Sequence, residues 1–314
     1  MTIWEELPKP FFVLAPMEAV TDHVFRRVVS RAAAPDIYFS EFTNATGWVH
    51  AGEKAVAGRL TIHPDEGYPL IAQIWCSEPE DIAKLASYCK ELGYKGIDLN
   101  MGCPAKTAVK NSGGSAMIKQ PELAAEIIAA AKTAGLPISV KTRLGYSNVD
   151  EWDTWLRHLL HQDLAALTVH LRTKKEMSKV PAHWDLAVDI KKLRDEIAPN
   201  TLLIGNGDVA NKTEAQKRVE ETGVDGIMIG RGIFTNIFAF EETETKHTQT
   251  ELLQLLNYHL DLFDADGSTK PYETLKRFFK IYIRDFPGSS DLRARLMEST
   301  DSTEARAILS TERT

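Results

Sequence analysis

Short runs rich in apolar residues, several of them continuously apolar, recur along the chain at regular intervals: Phe11 to Leu14, Ile37 to Ser40, Leu70 to Ile74, Gly96 to Leu99, Ile138 to Lys141, Leu167 to His170, Leu202 to Ile204 and Gly226 to Ile229. A strand with one wet face alternates apolar and polar residues, so continuous runs predict strands buried on both faces. Most are separated by stretches with helical periodicity. In Pro79 to Leu92, Ile82, Leu85, Ala86 and Cys89 fall on one face and Asp81, Lys84 and Lys90 on the other, with Gly93 placed to end the helix. Similar stretches are Asp22 to Arg31, Pro121 to Thr133, Trp152 to His161, Leu186 to Ile197 and Thr213 to Thr222. This rhythm predicts an α/β fold, a (β/α)8 TIM barrel of about 230 residues with an outer ring of helices.

The chain has 314 residues, which leaves a tail beyond Phe240. Glu241 to Thr250 is polar, acidic and Thr-rich, and the boundary is placed there: residues 1–240 as the barrel and 241–314 as a small all-helical domain. In the tail, Leu252, Leu255, Leu256, His259, Leu260 and Phe263 define an amphipathic helix ending at Asp266-Gly267. Pro271 opens another, with Leu275, Phe278, Phe279 and Tyr282 on one face. Hydrophobic residues at 43% and charged residues at 26% are ordinary globular usage and exclude a disordered chain. Cys76, Cys89 and Cys103 are too far apart for a zinc knuckle or a secreted disulfide framework, which suggests a reducing, cytoplasmic setting. The first ten residues lack an export signal, and no apolar run has the roughly 18 residues of a bilayer span.

In a barrel of this kind the active site forms at the C-terminal ends of the strands. The residues there are Pro16-Met17-Glu18, Glu41, Gln73, Asn100 to Pro104, Lys141 with Arg143, His170 with Arg172, Gly205 to Asp208, and Gly230-Arg231-Gly232. The last two are turns where barrels commonly bind phosphate through backbone N–H groups, though either could be a plain turn. Lys141 and Arg143 alternate off one strand and point the same way, as rim charges or as cations inside a binding cup. A lysine there could stabilise the anion of a reduced flavin, with Gln73 at the ring's polar edge; His170 could bond ligand or merely pack. Cys103 follows the fourth run on a Gly-Cys-Pro turn that leads to Gly113-Gly114. A thiol that donates a proton must stay protonated near neutrality, so it should lack a neighbouring His or helix N-terminus. His158 and His161 share a helix without further ligands and read as a surface pair rather than a metal site.

Leu14-Ala15-Pro16-Met17-Glu18, Asp98-Leu99-Asn100-Met101-Gly102-Cys103-Pro104, Ser139 to Gly145, Gly205-Asn206-Gly207-Asp208 and Met228 to Gly232, in this order, resemble the bacterial tRNA-dihydrouridine synthase family. The Asn-x-Gly-Cys-Pro turn with Lys-x-Arg on the next strand is the specific part. The resemblance implies an FMN-dependent oxidoreductase that uses NADPH to reduce the C5–C6 double bond of particular uridines in tRNA, with Cys103 as proton donor. It implies that Pro16, Met17, Glu18, Gln73, Lys141, His170, Asn206, Gly207, Asp208, Gly230 and Arg231 hold FMN. Asn100 and Arg143 would lie near the uracil. The segments after Glu41 and His170 depart from some relatives, so the target uridine is left open.

A net charge of −7 opposes a wholly basic surface, but Lys270 to Arg295 is locally net positive. Lys276, Arg277, Lys280 and Arg284 fall at helical spacing and could track tRNA phosphates, extended from the barrel rim by Lys174, Lys175 and Lys179; a solvated face is the plainer reading of such a run. The alternative enzyme is an FMN barrel acting on a free small molecule, dihydroorotate-dehydrogenase-like or ene-reductase-like. A non-catalytic RNA-binding barrel is a third reading. No membrane or metal partner is expected, and the chain is expected to be a monomer.

Overall fold

A computed structural model of the chain describes residues 2–56, 58–266 and 270–312. Its strands are β1 (Phe11–Leu14), β2 (Tyr38–Phe39), β3 (Thr43–Asn44), β4 (Leu70–Trp75), β5 (Gly96–Met101), β6 (Ile138–Arg143), β7 (Ala166–His170), β8 (Leu202–Asn206) and β9 (Gly226–Ile229). They pair in parallel in the order β1-β9-β8-β7-β6-β5-β4-β2. A parallel bridge between Val13 and Ile37 joins the two ends, so the eight expected strands form a nearly closed barrel. Helices such as Pro79–Glu91, Pro121–Lys132, Trp152–Leu160, Ala187–Ile197 and Lys212–Thr222 fill the connections, as the periodicity predicts.

Several strands run further than their apolar letters. β5 continues through Asn100 and Met101, β6 through Thr142 and Arg143, and β8 through Gly205 and Asn206. Their backbones stay in the ladder although Asn100, Arg143 and Asn206 are polar, so polarity does not mark a strand end. The sequence reading has no counterpart to β3, two residues paired to β4 through Thr43–Ile74 and Asn44–Trp75.

Residues in register across a parallel ladder share a face, which sorts the barrel interior into layers. A buried apolar cluster contains Phe11, Val13, Ile37, Phe39, Ile71, Ala166, Leu202, Ile204 and Met228, with Trp4 packed among them. Each such side chain contributes about 1.5–3 kcal/mol by leaving water. Across the ladders, Gln73 is in register with Asp98 and Asp98 with Ser139, while Asn100 is in register with Lys141 and Lys141 with Thr168. Each polar row continues into the apolar filling, Ser139 being in register with Ala166 and Ala166 with Leu202, and Thr168 with Ile204.

The chain divides into two compact units, one of Met1–His23, Pro35–Val209 and Glu214–Gly230, the other of Val24–Ala34, Ala210–Thr213 and Arg231–Thr314. In the second unit the helix Gln249–Ala265 starts at a reciprocal cap: Thr248 Oγ1 accepts from Glu251 N (3.2 Å) and Thr248 N donates to Glu251 Oε2 (2.7 Å). Asp266 ends it; Gly267 lies outside the described residues. The next helix, Glu273–Tyr282, begins two residues after Pro271, and Ser289–Glu298 and Ser302–Ser310 follow. His259 is core, not surface: it is 2% exposed and its Nδ1 lies 2.9 Å from Tyr282 Oη. Phe25 stacks on Phe278 with ring centroids 4.8 Å apart. Among the described residues no helix is long and apolar enough to cross a membrane.

Candidate active site

Cys103 sits immediately beyond β5 on a turn held from three sides. Asn100 Oδ1 accepts from Gly102 N (3.2 Å) and Cys103 N (2.9 Å), and Cys103 O accepts from Ser115 N (2.9 Å). Arg143 Nε donates to Gly102 O (2.8 Å), and Arg143 Nη1 donates to the carbonyls of Thr173 (3.1 Å) and Met177 (2.9 Å). Arg143 is thus a buried clamp between two mouth loops and not a solvated rim charge. The glycine pair belongs to the same construction. A Cβ on Gly113 would meet the Trp75 ring at 2.5 Å, and one on Gly114, whose φ is +55°, would meet Cys103 O at 2.6 Å.

Burial raises the Cys103 thiol above its ordinary pKa, and the Glu18 carboxylate adds to the rise. The Ala105 backbone bond, Arg143 and Lys141 pull the other way and are outweighed. The expectation that no helix N-terminus stands nearby is corrected, because the short helix Lys106–Lys110 begins directly after Ala105. Burial still decides the direction, and the group is a thiol at neutral pH.

Lys141 Nζ donates to Asn206 Oδ1 (3.1 Å), and Asn206 Nδ2 donates to Met228 O (2.7 Å). Burial, reinforced by Arg143, lowers the Lys141 ammonium to about 8. In the same layer Thr168 Oγ1 is buried with no hydrogen-bond partner. Gln73 is fully buried, and both ends of its amide are taken: Nε2 donates to Asp98 Oδ2 (2.7 Å) and Oε1 accepts from Asn100 Nδ2 (3.0 Å). His170 Nε2 lies 3.1 Å from Arg172 Nη1, and Arg172, itself 2% exposed, pairs with Asp208. Asp208 Oδ2 also accepts from Ala182 N (3.0 Å). Asp208 is therefore the counterion of a buried arginine, which the sequence does not disclose.

Gly205, within β8, and Gly207, just after it, answer first to packing. A Cβ on Gly205 would strike the Trp184 ring at 2.7 Å, and one on Gly207, at φ +133°, would strike Ala182 Cβ at 2.8 Å. Trp184 Nε1 donates to Gly207 O (2.9 Å) and locks the turn. Pro16 and Met17 are half-buried at the mouth, where Met17 N donates to Thr21 Oγ1 (2.9 Å), and Glu18 is exposed, 3.4 Å from Arg59. Gly230 is half-buried, with 3.5 Å to Ala15 for an added Cβ; Arg231 opens the turn Arg231–Phe234 in the second unit. Glu41 is buried and accepts from Ala19 N.

Of the basic stripe, Arg277 and Lys280 are exposed. Lys276 is drawn in, its side chain 11% exposed and 2.9 Å from Glu273, and Arg284 bonds Asp285 and Thr235 O. On the barrel, Lys119 and Lys174 lie 3.9 and 4.6 Å from the Tyr146 ring centroid, beside exposed Lys175 and Lys179. His158 is half-buried against Trp155 and only His161 is exposed, so the surface pair is corrected: the Trp155 ring covers one of its members.

Asp98, Ser139 and Arg172 are the residues to which the sequence reading gives no role. The signal for Asp98 is a charged residue in mid-strand between Ile97 and Leu99.

Residues 13–313 match the family described as Dihydrouridine synthase (Dus). A "Probable tRNA-dihydrouridine synthase 2" of Bacillus subtilis (strain 168) is 55% identical over 309 residues, covering 98% of this chain and 95% of that one. "Probable tRNA-dihydrouridine synthase" proteins of Staphylococcus aureus (strain Mu50) and Staphylococcus epidermidis (strain RP62A) are each 53% identical, covering 98% of this chain and 94% and 95% of theirs. With a nearly full-length match and relatives above half identity, the chain belongs to the dihydrouridine synthase family.

Proposed function

We propose that this protein reduces the C5–C6 double bond of uridines in tRNA, taking electrons from NADPH through FMN, with Cys103 as the proton donor. The observation that carries the reading is the Cys103 thiol on a turn fixed at the barrel mouth, with buried Arg143 and half-buried Lys141 on the neighbouring strand. The donor set fits a flavin: Lys141 offers positive charge to an electron-rich ring edge, and Thr168 Oγ1 in the same layer is buried without a partner. Asn206, Gly207 and Gly230 would lie towards the phosphate. Bound FMN would supply hydride to C6 of the uracil and be reduced again by NADPH.

The rest is done by the chain. Cys103 Sγ gives its proton to C5 as hydride reaches C6, so the ring gains two hydrogens and the thiolate regains a proton from water. Arg143 and Asn100 keep the thiol in place by holding the backbone on either side of it. The target base must leave the tRNA stack, which costs a few kcal/mol that binding elsewhere must offset. Arg277 and Lys280 with their neighbours in residues 241–314, and Lys174, Lys175 and Lys179 at the barrel rim, would contribute by contacting phosphates. Such an enzyme works in the cytoplasm, in keeping with three free cysteines.

The test is to incubate the protein with FMN, NADPH and unmodified tRNA, and in parallel with dihydroorotate or a small enone. Dihydrouridine in the tRNA is the expected product. Turnover of a small molecule with none of tRNA would replace this reading with a free-substrate oxidoreductase.

A further inference from the structure

The barrel interior holds a carboxylate that the proton transfer does not use. Asp98 is fully buried in the middle of β5. Its Oδ1 accepts from Ser139 Oγ (2.6 Å) and its Oδ2 from Gln73 Nε2 (2.7 Å). Burial pushes its carboxyl up to about 6, opposed by the bonds from Ser139 and Gln73 and by Lys141, and both of its oxygens act as acceptors, as those of a carboxylate do. An ionised carboxylate accepts hydrogen bonds and donates none.

That one-way character has consequences two residues away. Gln73 must turn its NH2 towards Asp98, which leaves Oε1 facing Asn100. Asn100 must then turn its own NH2 towards Gln73, at 3.0 Å, which leaves Oδ1 facing the turn. There Oδ1 accepts from Gly102 N and Cys103 N. Reversing either amide would set donor against donor among buried groups, costing about 1–3 kcal/mol for each group left unpaired. The ladder makes the chain of contacts rigid, since Gln73 and Asp98 are in register, as are Asp98 and Ser139.

We propose that Asp98 is a positioning residue that fixes the Cys103 turn from within the barrel by dictating the orientation of the Gln73 and Asn100 amides. The consequence for turnover rests on the reading of Cys103 as proton donor. The orientation itself does not, and it can be measured separately.

The experiment follows alkylation of Cys103 by iodoacetamide in FMN-loaded protein without tRNA, using mass spectrometry of the Cys103 peptide; buried Cys89 reports on unfolding. Asp98→Asn offers Gln73 a donor and permits both amides to reverse, so the turn loosens and alkylation accelerates by about tenfold, in line with the loss of two hydrogen bonds. In Asp98→Asn with Gln73→Glu the carboxylate is moved one place along. Asn100 again faces an obligate acceptor, and the rate returns to within about twofold of the parent. Ser139→Ala removes a bond to Asp98 without altering its direction and leaves the rate within about twofold.

A parental rate in Asp98→Asn, or a double variant as fast as the single, overturns the proposal. So does an equal acceleration in Ser139→Ala, which would mean general loosening. Should Asp98→Asn also expose Cys89, the double variant decides alone: protected Cys89 with slow Cys103 supports the proposal, and fast Cys103 overturns it. Alkylation follows the geometry of the turn whether or not the thiol serves as donor. Failure here is therefore distinct from failure of Cys103→Ala to stop tRNA reduction.

Discussion

Gly114 is the position where a single methyl group would reach the proposed proton donor without replacing it. An alanine there must adopt the left-handed backbone, φ +55°, at a cost of about 1–2 kcal/mol. Its Cβ would also lie 2.6 Å from Cys103 O and 3.2 Å from Cys103 Cβ. The first contact is with backbone and cannot be relieved by a rotamer change, so the Cys103 carbonyl must move and its bond from Ser115 N (2.9 Å) must stretch. Overpacking of this kind costs about 1–3 kcal/mol more. Gly288 supplies the control, since it is left-handed at φ +78° and ψ −2° and an added Cβ meets nothing within 4 Å. Urea unfolding should place Gly114→Ala about 1–3 kcal/mol below Gly288→Ala. Initial rates of tRNA reduction should fall at least tenfold in Gly114→Ala alone, because a displaced donor misses near-attack geometry. Equal stabilities for the two variants, or an undiminished rate in Gly114→Ala, would refute the account of the Cys103 turn.

Lys141→Met removes a cation that is penalised by burial, whose folded pKa of about 8 lies below its ordinary value. In the parent the penalty is fully present below pH 8 and is released as pH rises towards the unfolded value. The variant should therefore be more stable than the parent at pH 7 and lack the parent's gain in stability above pH 8, while tRNA reduction falls about 100-fold. At the other end of the barrel Asp225 Oδ2 pairs with buried Arg194 at 2.5 Å. Its burial raises the carboxyl pKa, but Leu203 N, Lys9 and Arg194 together lower it, so the net shift is downward and the stability it contributes is lost as pH falls through the folded pKa. Asp225→Asn should cost about 3 kcal/mol at pH 7 and flatten acid unfolding, measured by pH-resolved denaturation. Arg277→Gln with Lys280→Gln should weaken tRNA binding and reduce the slope of log K against log salt by about 2; an unchanged slope would remove these residues from the interface.

The alternation of strand and helix was legible because a barrel strand is apolar on both faces and its helices show a 3.6-residue stripe; Phe11–Leu14 and Gly226–Ile229 coincide with their runs. The ends of β5, β6 and β8 were not, since Asn100, Arg143 and Asn206 have the polarity of loop residues while their backbones remain paired. Cys103 and Lys141 could be picked out from spacing and from the resemblance. Their supports could not: the links from Asp98 through Gln73 to Asn100, and from Arg172 to Asp208, depend on which strands become neighbours and in what register. Gly205 and Gly207 are ambiguous in the sequence for a related reason. A glycine that admits Trp184 or Ala182 has the same letter as one that admits a phosphate. The helix His23–Ala32 reads as an ordinary member of the barrel's outer ring, yet nearly all of it groups with the C-terminal helices, where Phe25 packs on Phe278 and His259.

The central claim is that Cys103 delivers a proton to a uracil ring that also receives hydride. The most direct measurement is the mass of nuclease fragments of unmodified tRNA after incubation with FMN and NADPH, for the parent and for Cys103→Ala side by side. The account predicts a gain of two hydrogens on specific uridine-containing fragments with the parent, and a yield at least about 100-fold lower with the variant while NADPH still bleaches its flavin. Parent-like yields from Cys103→Ala, or bleaching by the parent with no gain of mass on any tRNA fragment, would contradict it.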